Sequence, residues 1–355
     1  MNPDGIWWDQ IGTQLRFVSR VNELLEEDRS FVLSLRGQLP WRQSFYGRVG
    51  YGRSAFSADR RLKRLPFPAG TDPGAFVLEN LCPMAVQADY YPGQTYAEYL
   101  GGKGDLIMCD YCVWVTGIHS RADFSAWLSF VRAYEAAAAA LERRAVFVLE
   151  YDGPAYDPQP LQQVKYEVKS YDCRVFCLQL TSEWDSSDFL PYRAELALNI
   201  GGASPELSAA LIAAGDRLPE EPLETVRRVL ERERDSEGRP FPGMSEAKII
   251  SGIWRSCFLL FYPIIERVRM NFIAKHESEL REYLPISNSR GETVSDPSDL
   301  EIGTLCHILT CKSRHVFPPE ETENVILCHA VRNQLAHNKY LTYDEVSRVL
   351  AFGTI

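Results

Sequence analysis

The sequence has little histidine, no excess of positive charge and no long hydrophobic run without a break. Its 355 residues include 6 His, and 38 Lys and Arg stand against 48 Asp and Glu, which gives a net charge of −10. The chain as a whole is therefore not a basic nucleic-acid coat. Its most apolar stretch, 253–265, contains Arg255 and Pro263 and is too short to span a bilayer.

The first ten residues, MNPDGIWWDQ, also lack the basic and then apolar regions of a signal peptide. The 9 Cys are an odd number, so we expect reduced, mostly buried thiols. Cys109/Cys112 and Cys173/Cys177 have the spacing of zinc ligands, but both pairs stand in apolar runs typical of strands. We therefore expect a cytoplasmic protein with no metal, no cofactor and no membrane contact.

Short apolar runs and helical patterns alternate through the first half of the chain. The apolar runs predict strands at 31–35, twice within 106–118, and at 145–150, 165–170 and 174–181. Helical periodicity is found at 14–28 and 124–144. This alternation predicts an α/β domain with a largely parallel sheet.

The second half of the chain is helical. Residues 191–235 form a predicted helical extension of the α/β domain, which then covers 1–235. Gly and Pro residues mark a linker at 236–243. Residues 244–355 predict an all-α bundle, with helices at 245–276, 297–310, 319–337 and 343–352.

A motif after the first apolar strand resembles a P-loop. Gly37 and Ser44 have the spacing of GxxxxGK[ST], but Arg42 and Gln43 replace the second Gly and the Lys. The domain thus resembles a P-loop ATPase of the AAA+/STAND type with a degenerate loop, and Glu150 has the position of a strand-end acid. The resemblance implies a regulatory domain without ATP hydrolysis. Two alternatives stay open: an unrelated α/β domain, and a nucleotide switch in which Arg42 replaces the Lys.

The segment 36–64 is basic and aromatic. It contains eight Arg and Lys residues against Asp59 as its one acid, interleaved with Trp, Phe and Tyr. Arg side chains bind phosphates and aromatic rings stack on unpaired bases, so a phosphate or nucleic-acid surface is one interpretation. A solvated face, or an interface with acidic residues of a partner or of this chain, is the other. The candidate binding residues are Arg36, Arg42, Ser44, Arg48 and Arg53.

Near the end of the chain, Arg332-Asn333-Gln-Leu-Ala-His337 has an Arg-x4-His spacing. With the long predicted helix around 254–269 and the segment 299–303, this motif resembles the HEPN superfamily. The resemblance implies a metal-independent endoribonuclease, a homodimer formed through this domain and a prokaryotic anti-phage defence or toxin system. RNA is then the substrate, and a defence protein is a further candidate partner.

The resemblance also implies a role for each residue. His337 transfers a proton, Arg332 holds the scissile phosphate, Asn333 orients the phosphate or His337, and the RNA 2′-hydroxyl attacks to leave a 2′,3′-cyclic phosphate. On a helix, Asn333 and His337 share a face, whereas residues five apart differ by about 140°, so two copies are needed to bring both pairs together. Glu266 and Arg269 are candidate supporting residues.

The alternative is a non-enzymatic assembly or sensor subunit. In that interpretation Arg332 braces the bundle, the helix dipole favours His337, and Asn338 ends the helix. Four further histidines show no zinc spacing and are interpreted as structural: His276, His307, His315 and His329.

Overall fold

The computed structural model describes residues 2–49, 61–102, 108–153, 161–183, 189–287, 291–312 and 316–352. Arg53, His315 and the predicted strand start at 106–107 lie outside these ranges. The chain divides into two compact units, Asn2–Asp172 and Cys173–Ile355.

The first unit is built on a five-stranded sheet. Its strands are β1 (Phe31–Arg36), β2 (Arg61–Pro66), β3 (Tyr111–Ile118), β4 (Val146–Tyr151) and β5 (Gln162–Glu167). They lie in the order β2-β3-β4-β1-β5, and all neighbours are parallel. The α/β class and the parallel sheet predicted from the sequence are therefore confirmed.

Helices precede β1 and lie between successive strands as far as β4. They are α1 (Pro3–Gly5), α2 (Gly12–Glu26), α3 (Arg42–Arg48), α4 (Pro73–Leu81), α5 (Met84–Ala88), α6 (Tyr96–Gly102) and α7 (Arg121–Ala137), with a π-helical turn at Ile6–Gln10. The helix α8 (Ser170–Ser182) carries the chain from the first unit into the second.

The two faces of the sheet are both buried because successive strand residues point to opposite sides. Val113 and Val115 pack in one apolar cluster with Trp127 of α7. Trp114, between them in sequence, instead contacts Phe45 and Tyr46 of α3 at ring-centroid distances of 6.2 and 5.7 Å. The strand β4 is buried along its whole length, as expected for the centre of a parallel sheet.

The second unit is mainly helical. Its helices are α9 (Leu190–Gly201), α10 (Pro205–Ala213), α11 (Arg217–Glu220), α12 (Pro222–Arg232), α13 (Glu246–Lys275), α14 (Glu277–Arg281), α15 (Ile302–His307), α16 (Pro319–Ala336) and α17 (Tyr343–Leu350). A 3₁₀ turn covers Pro297–Asp299, a π-helical turn covers Ile308–Lys312, and β6 (Ile286–Ser287) pairs with β7 (Thr293–Val294).

The long helix α13 organises the second unit. It packs against α9, α16 and α17 and buries Ile253, Cys257 and Phe261. Within the described ranges, α13 is the one helix long and apolar enough to cross a membrane by length and composition. Of its most apolar 18-residue window, 39 % is buried within this chain, and core helices of soluble proteins also meet this criterion.

The segment 174–181 was predicted as a strand, and this prediction is wrong, because the segment lies within α8. The buried residues Cys173, Phe176, Cys177 and Leu180 of α8 recur at intervals of three and four, which is the helical period. The apolar content had obscured that period. The structure also adds the short β6–β7 pair to a region predicted to be all helical.

The division between the units precedes the predicted linker at 236–243. Helices α9 and α12 pack on α13, and Ser256 of α13 donates a hydrogen bond of 2.9 Å to the Glu195 carbonyl of α9. Residues 190–235 therefore belong to the helical unit. The Gly- and Pro-rich segment lies inside that unit and begins with a tight turn. In this turn, Gly238 N–H donates a hydrogen bond of 2.9 Å to the Asp235 carbonyl.

Candidate functional site

The second unit contains an open, polar cavity of about 720 Å³. Side chains of α13, α15 and α16 and of the 3₁₀ turn line it. Of the residues in the Arg-x4-His motif, Arg332 and Asn333 line this cavity, as do the predicted supporting residues Glu266 and Arg269. Polar side chains from helices far apart in sequence therefore meet at one concave surface.

One face of α16 forms a connected row of polar groups in the cavity. Residues 329, 332 and 333 share this face because they are three and four positions apart. Arg332 Nη1 donates to Asn333 Oδ1 at 3.3 Å, and Asn333 Nδ2 donates to His329 Nε2 at 3.0 Å. Since Nε2 accepts the amide proton, the neutral ring carries its own proton on Nδ1.

His329, whose lack of zinc spacing favoured a structural role, thus lines the candidate site. Burial lowers the pKa of the His329 imidazole below its ordinary value of 6.5, and the nearby charge of Arg332 lowers it further. The ring is therefore neutral at pH 7 and its Nε2 is a hydrogen-bond acceptor. The spacing of His329 from Arg332 and Asn333 was the available signal in the sequence.

The low pKa of His329 gives a titration prediction. In an NMR titration of the histidine ring protons, we expect the His329 midpoint below 6.5 and an upward shift in Arg332→Gln. The midpoint of Arg332→Gln should still lie below 6.5, because burial lowers the pKa of His329 more than the charge of Arg332 does. The exposed Arg267, which does not line the cavity, supplies the control Arg267→Gln, and an unmoved midpoint in Arg332→Gln would contradict the assignment.

The same pKa has a consequence for stability. The unfolded chain takes up this proton more readily than the folded chain, so protonation favours unfolding. The contribution of His329 to stability is therefore present above pH 6.5 and is lost as the pH falls through the lowered pKa of the folded state.

Arg269 holds the opposite wall of the cavity in place. Its Nε donates to Glu266 Oε1 at 2.9 Å, and its Nη1 donates to the Leu300 carbonyl at 2.9 Å and the Ser298 carbonyl at 3.4 Å. The guanidinium thereby ties the segment around the 3₁₀ turn to α13. Asp299 and Glu301 lie on this segment and add exposed carboxylates to the cavity lining.

His337 lies elsewhere. It follows the last residue of α16, is exposed and is not among the residues that line the cavity. Asn338 has a left-handed backbone with φ of 56°, which ends the helix at this point. Asn333 forms its side-chain hydrogen bond with its i−4 neighbour, His329. It was expected to orient either the phosphate or its i+4 neighbour, His337. In one chain, Arg332 and Asn333 therefore meet His329 rather than His337.

The candidate phosphate-binding residues of the first unit contact acids of their own chain. Arg36 pairs with Glu167 at 3.8 Å. Arg48 Nη2 pairs with Asp9 at 2.6 Å, and Ser44 donates to Asp4. At these described positions, the candidate binding residues thus pair with acidic residues of this chain. Such pairing belongs to the second interpretation of the segment 36–64.

The degenerate loop has a strand–turn–helix geometry. Gly37 follows β1 with φ of 100° and Trp41 precedes α3 with φ of 45°, so the chain reverses sharply between the two elements. Arg42, the first residue of α3, pairs with Glu150 of β4 at 3.5 Å. The Glu150 carboxylate is 3 % exposed and also accepts hydrogen bonds from Tyr46 Oη and Trp114 Nε1.

In the described ranges, no group of three His, Cys, Asp or Glu side chains is arranged to hold a metal ion. Comparisons of the chain with protein-family models, with curated proteins and with solved structures found no match.

Proposed function

We propose that this chain is a cytoplasmic, metal-independent endoribonuclease effector, acting in prokaryotic anti-phage defence and working as a homodimer through its helical unit. The observation that carries the proposal is the convergence of Arg332, Asn333 and His329 in one polar cavity open to solvent. A phosphodiester there meets a permanent cation, an amide and a neutral imidazole. These are the groups that cleavage by an internal hydroxyl requires.

The proposed reaction is attack of an RNA 2′-hydroxyl on the adjacent phosphorus. A histidine takes the hydroxyl proton, the 2′-oxygen–phosphorus bond forms, and the bond to the leaving 5′-oxygen breaks as a second group gives that oxygen a proton. Arg332 stabilises the charge that develops on the phosphate. The products are a 2′,3′-cyclic phosphate and a 5′-hydroxyl.

Two histidines on α16 are candidates for the two proton transfers. His329 is neutral, and its Nε2 lone pair accepts a hydrogen bond from Asn333. When Asn333 turns to the phosphate, that lone pair becomes available to the 2′-hydroxyl, which makes His329 the proposed general base. His337 is exposed at the helix end, where it is accessible to a substrate held between two copies of the unit. We propose His337 as the general acid, supplied to each cavity by the second copy.

The first unit has the proposed role of a regulatory domain that does not hydrolyse ATP. The support is the pair formed by Arg42 and Glu150 beside the degenerate loop. In a P-loop enzyme a Lys and a strand-end acid serve nucleotide phosphate and metal. Here Gln43 stands at the place of the Lys. The strand-end acid Glu150 binds the adjacent Arg42 and two buried aromatic donors instead.

An experiment on RNA cleavage tests this function. The native chain is incubated with mixed tRNA and mRNA in EDTA, and the ends of the fragments are analysed. We expect cyclic-phosphate ends and a loss of about 10²–10³-fold in rate for Arg332→Ala, because the variant lacks the charge that stabilises the transition state. The exposed Arg267 gives the matched control Arg267→Ala, which should cleave as the native chain does.

A second candidate function is a non-enzymatic assembly or sensor subunit. It is favoured by the hydrogen bonds of Arg332 and Asn333 within one chain, and by the exposed apolar residues Phe258, Leu259 and Tyr262 on α13, which suit a dimer interface. A folded homodimer that leaves RNA intact, alone and with its defence partner, would contradict the nuclease and support this function.

A further inference from the structure

The first unit contains a separate cavity of about 360 Å³, lined by residues of α2, of β5 and of the start of α8. Neither the degenerate loop nor the basic segment 36–64 contributes to its lining. Its inner wall includes Gln14 and Asp172, each of which is only 2 % exposed. Buried polar side chains at a cavity wall indicate a site built for a polar ligand.

The inner wall is rich in hydrogen-bond acceptors. Gln14 Nε2 donates to Asp172 Oδ2 at 3.1 Å. That bond turns the amide so that Gln14 Oε1 is left buried without a hydrogen-bond partner, and the buried Thr13 Oγ1 also has none. An unpaired buried polar atom costs free energy, and Gln14 and Thr13 line the same cavity as the buried Asp172 carboxylate.

The outer side of the cavity has the opposite character. Arg16, Lys165 and Lys169 line it and are exposed. The one exposed acid in the lining, Glu167, is paired with Arg36 at 3.8 Å. The cavity thus has acceptors and a negative charge inside and positive charges at its mouth.

We propose that this cavity binds a free α-amino acid. The ligand's ammonium has three N–H donors, which match Asp172, Gln14 Oε1 and Thr13 Oγ1. Its carboxylate then lies among the basic side chains at the mouth. Gln14 donates a hydrogen bond to Asp172 but carries no charge. The ligand's ammonium therefore supplies a positive charge beside the buried Asp172 carboxylate. This site does not depend on the proposed RNA cleavage.

Isothermal titration calorimetry on the full chain tests the proposal. Each standard L-amino acid is titrated separately, with propylamine and propionate as ligands that carry only one of the two charged groups. We expect binding by at least one amino acid and affinities at least about tenfold weaker for both half-ligands. Asp172→Asn should weaken amino-acid binding at least about tenfold because the charge is lost while the shape is kept.

Two further variants complete the design. Thr13→Val removes one acceptor at similar volume and should weaken amino-acid binding several-fold. If Asp172→Asn does not fold, Thr13→Val is the variant that tests the proposed site. Asp89→Asn, at an exposed position outside the cavity lining, should bind as the native chain does. The proposal is overturned if no amino acid binds at millimolar concentration, or if binding is unchanged in both Asp172→Asn and Thr13→Val.

Discussion

Replacing His337 with alanine should lower the rate of RNA cleavage by about 10²–10⁴-fold, the usual contribution of a general acid or base. Because the side chain is exposed at the end of α16, the free energy of unfolding should change by less than about 0.5 kcal/mol. The measurements are initial rates on labelled RNA in EDTA and urea unfolding. His119→Ala, another exposed histidine, is the control and should retain the native rate.

The comparison with His329 separates the two proton transfers. His329→Gln should also lower the rate, and it should remove the dependence of the rate on the lowered pKa of His329 from the acidic limb of the pH profile. If His329→Gln abolishes RNA cleavage and His337→Ala does not, the cavity of one chain is sufficient. That result would contradict the shared site but not the proposed RNA cleavage.

Mixing two inactive variants tests whether the site is shared between copies. When Arg332→Ala and His337→Ala chains exchange subunits, half of the dimers are mixed, and each mixed dimer has one site with both residues intact. About one quarter of the native rate should return. If both residues act from the same chain, every site lacks one of them and no activity returns.

The sequence is sufficient to predict the elements around the candidate site but not the contacts between them. Apolar periodicity predicts α13 and α16 to within one or two residues, because each buries one continuous face. The segment 174–181 was misassigned because a short apolar run fits a strand and a buried helix equally well. The separation of the units was also not predictable, since the packing of α9 and α12 on α13 depends on tertiary contacts.

In the candidate site, too, the sequence predicts local groups of residues but not the contacts between distant ones. Arg332 and Asn333 were recognised from their local spacing, and the structure places them in the cavity. Which histidine joins them depends on where α16 ends and on what packs beside it: the wall near His329 is formed by Gly303 of α15, far away in sequence. The cavity that includes Gln14 and Asp172 joins residues 158 positions apart, and their spacing carries no signal.

Glu150 in the first unit is expected to have the largest effect on stability. Its carboxylate joins Arg42 and Tyr46 of α3 and Trp114 of β3, at 3.5, 2.8 and 3.0 Å. Burial raises the pKa of Tyr46, and the charge of Glu150 raises it further, so the phenol remains a hydrogen-bond donor at all physiological pH values. The carboxylate therefore has fixed donors, and removing it leaves the buried Tyr46 hydroxyl and Trp114 indole without this acceptor.

Glu150→Ala should lower the free energy of unfolding of the first unit by about 3–5 kcal/mol, the cost of breaking a buried charged network on one side. Glu150→Gln keeps an acceptor and should lose less, about 1–3 kcal/mol. Urea unfolding followed by tryptophan fluorescence reports on this unit, whose core contains Trp7, Trp8, Trp114 and Trp127. The exposed Glu79 on α4 provides the control Glu79→Ala, with an expected change below about 0.5 kcal/mol.

The contacts of Glu150 also allow a test of whether Arg42 and Glu150 form a structural network or part of a nucleotide site. A nucleotide with its magnesium ion would need Glu150 or Arg42 to exchange its protein partner for the ligand, and the buried donors Tyr46 and Trp114 would then lose theirs. We therefore expect no rise in unfolding temperature with millimolar Mg-ATP or Mg-GTP. A rise of several degrees that disappears in Arg42→Ala would establish the nucleotide switch instead, because a ligand that binds only the folded chain stabilises it.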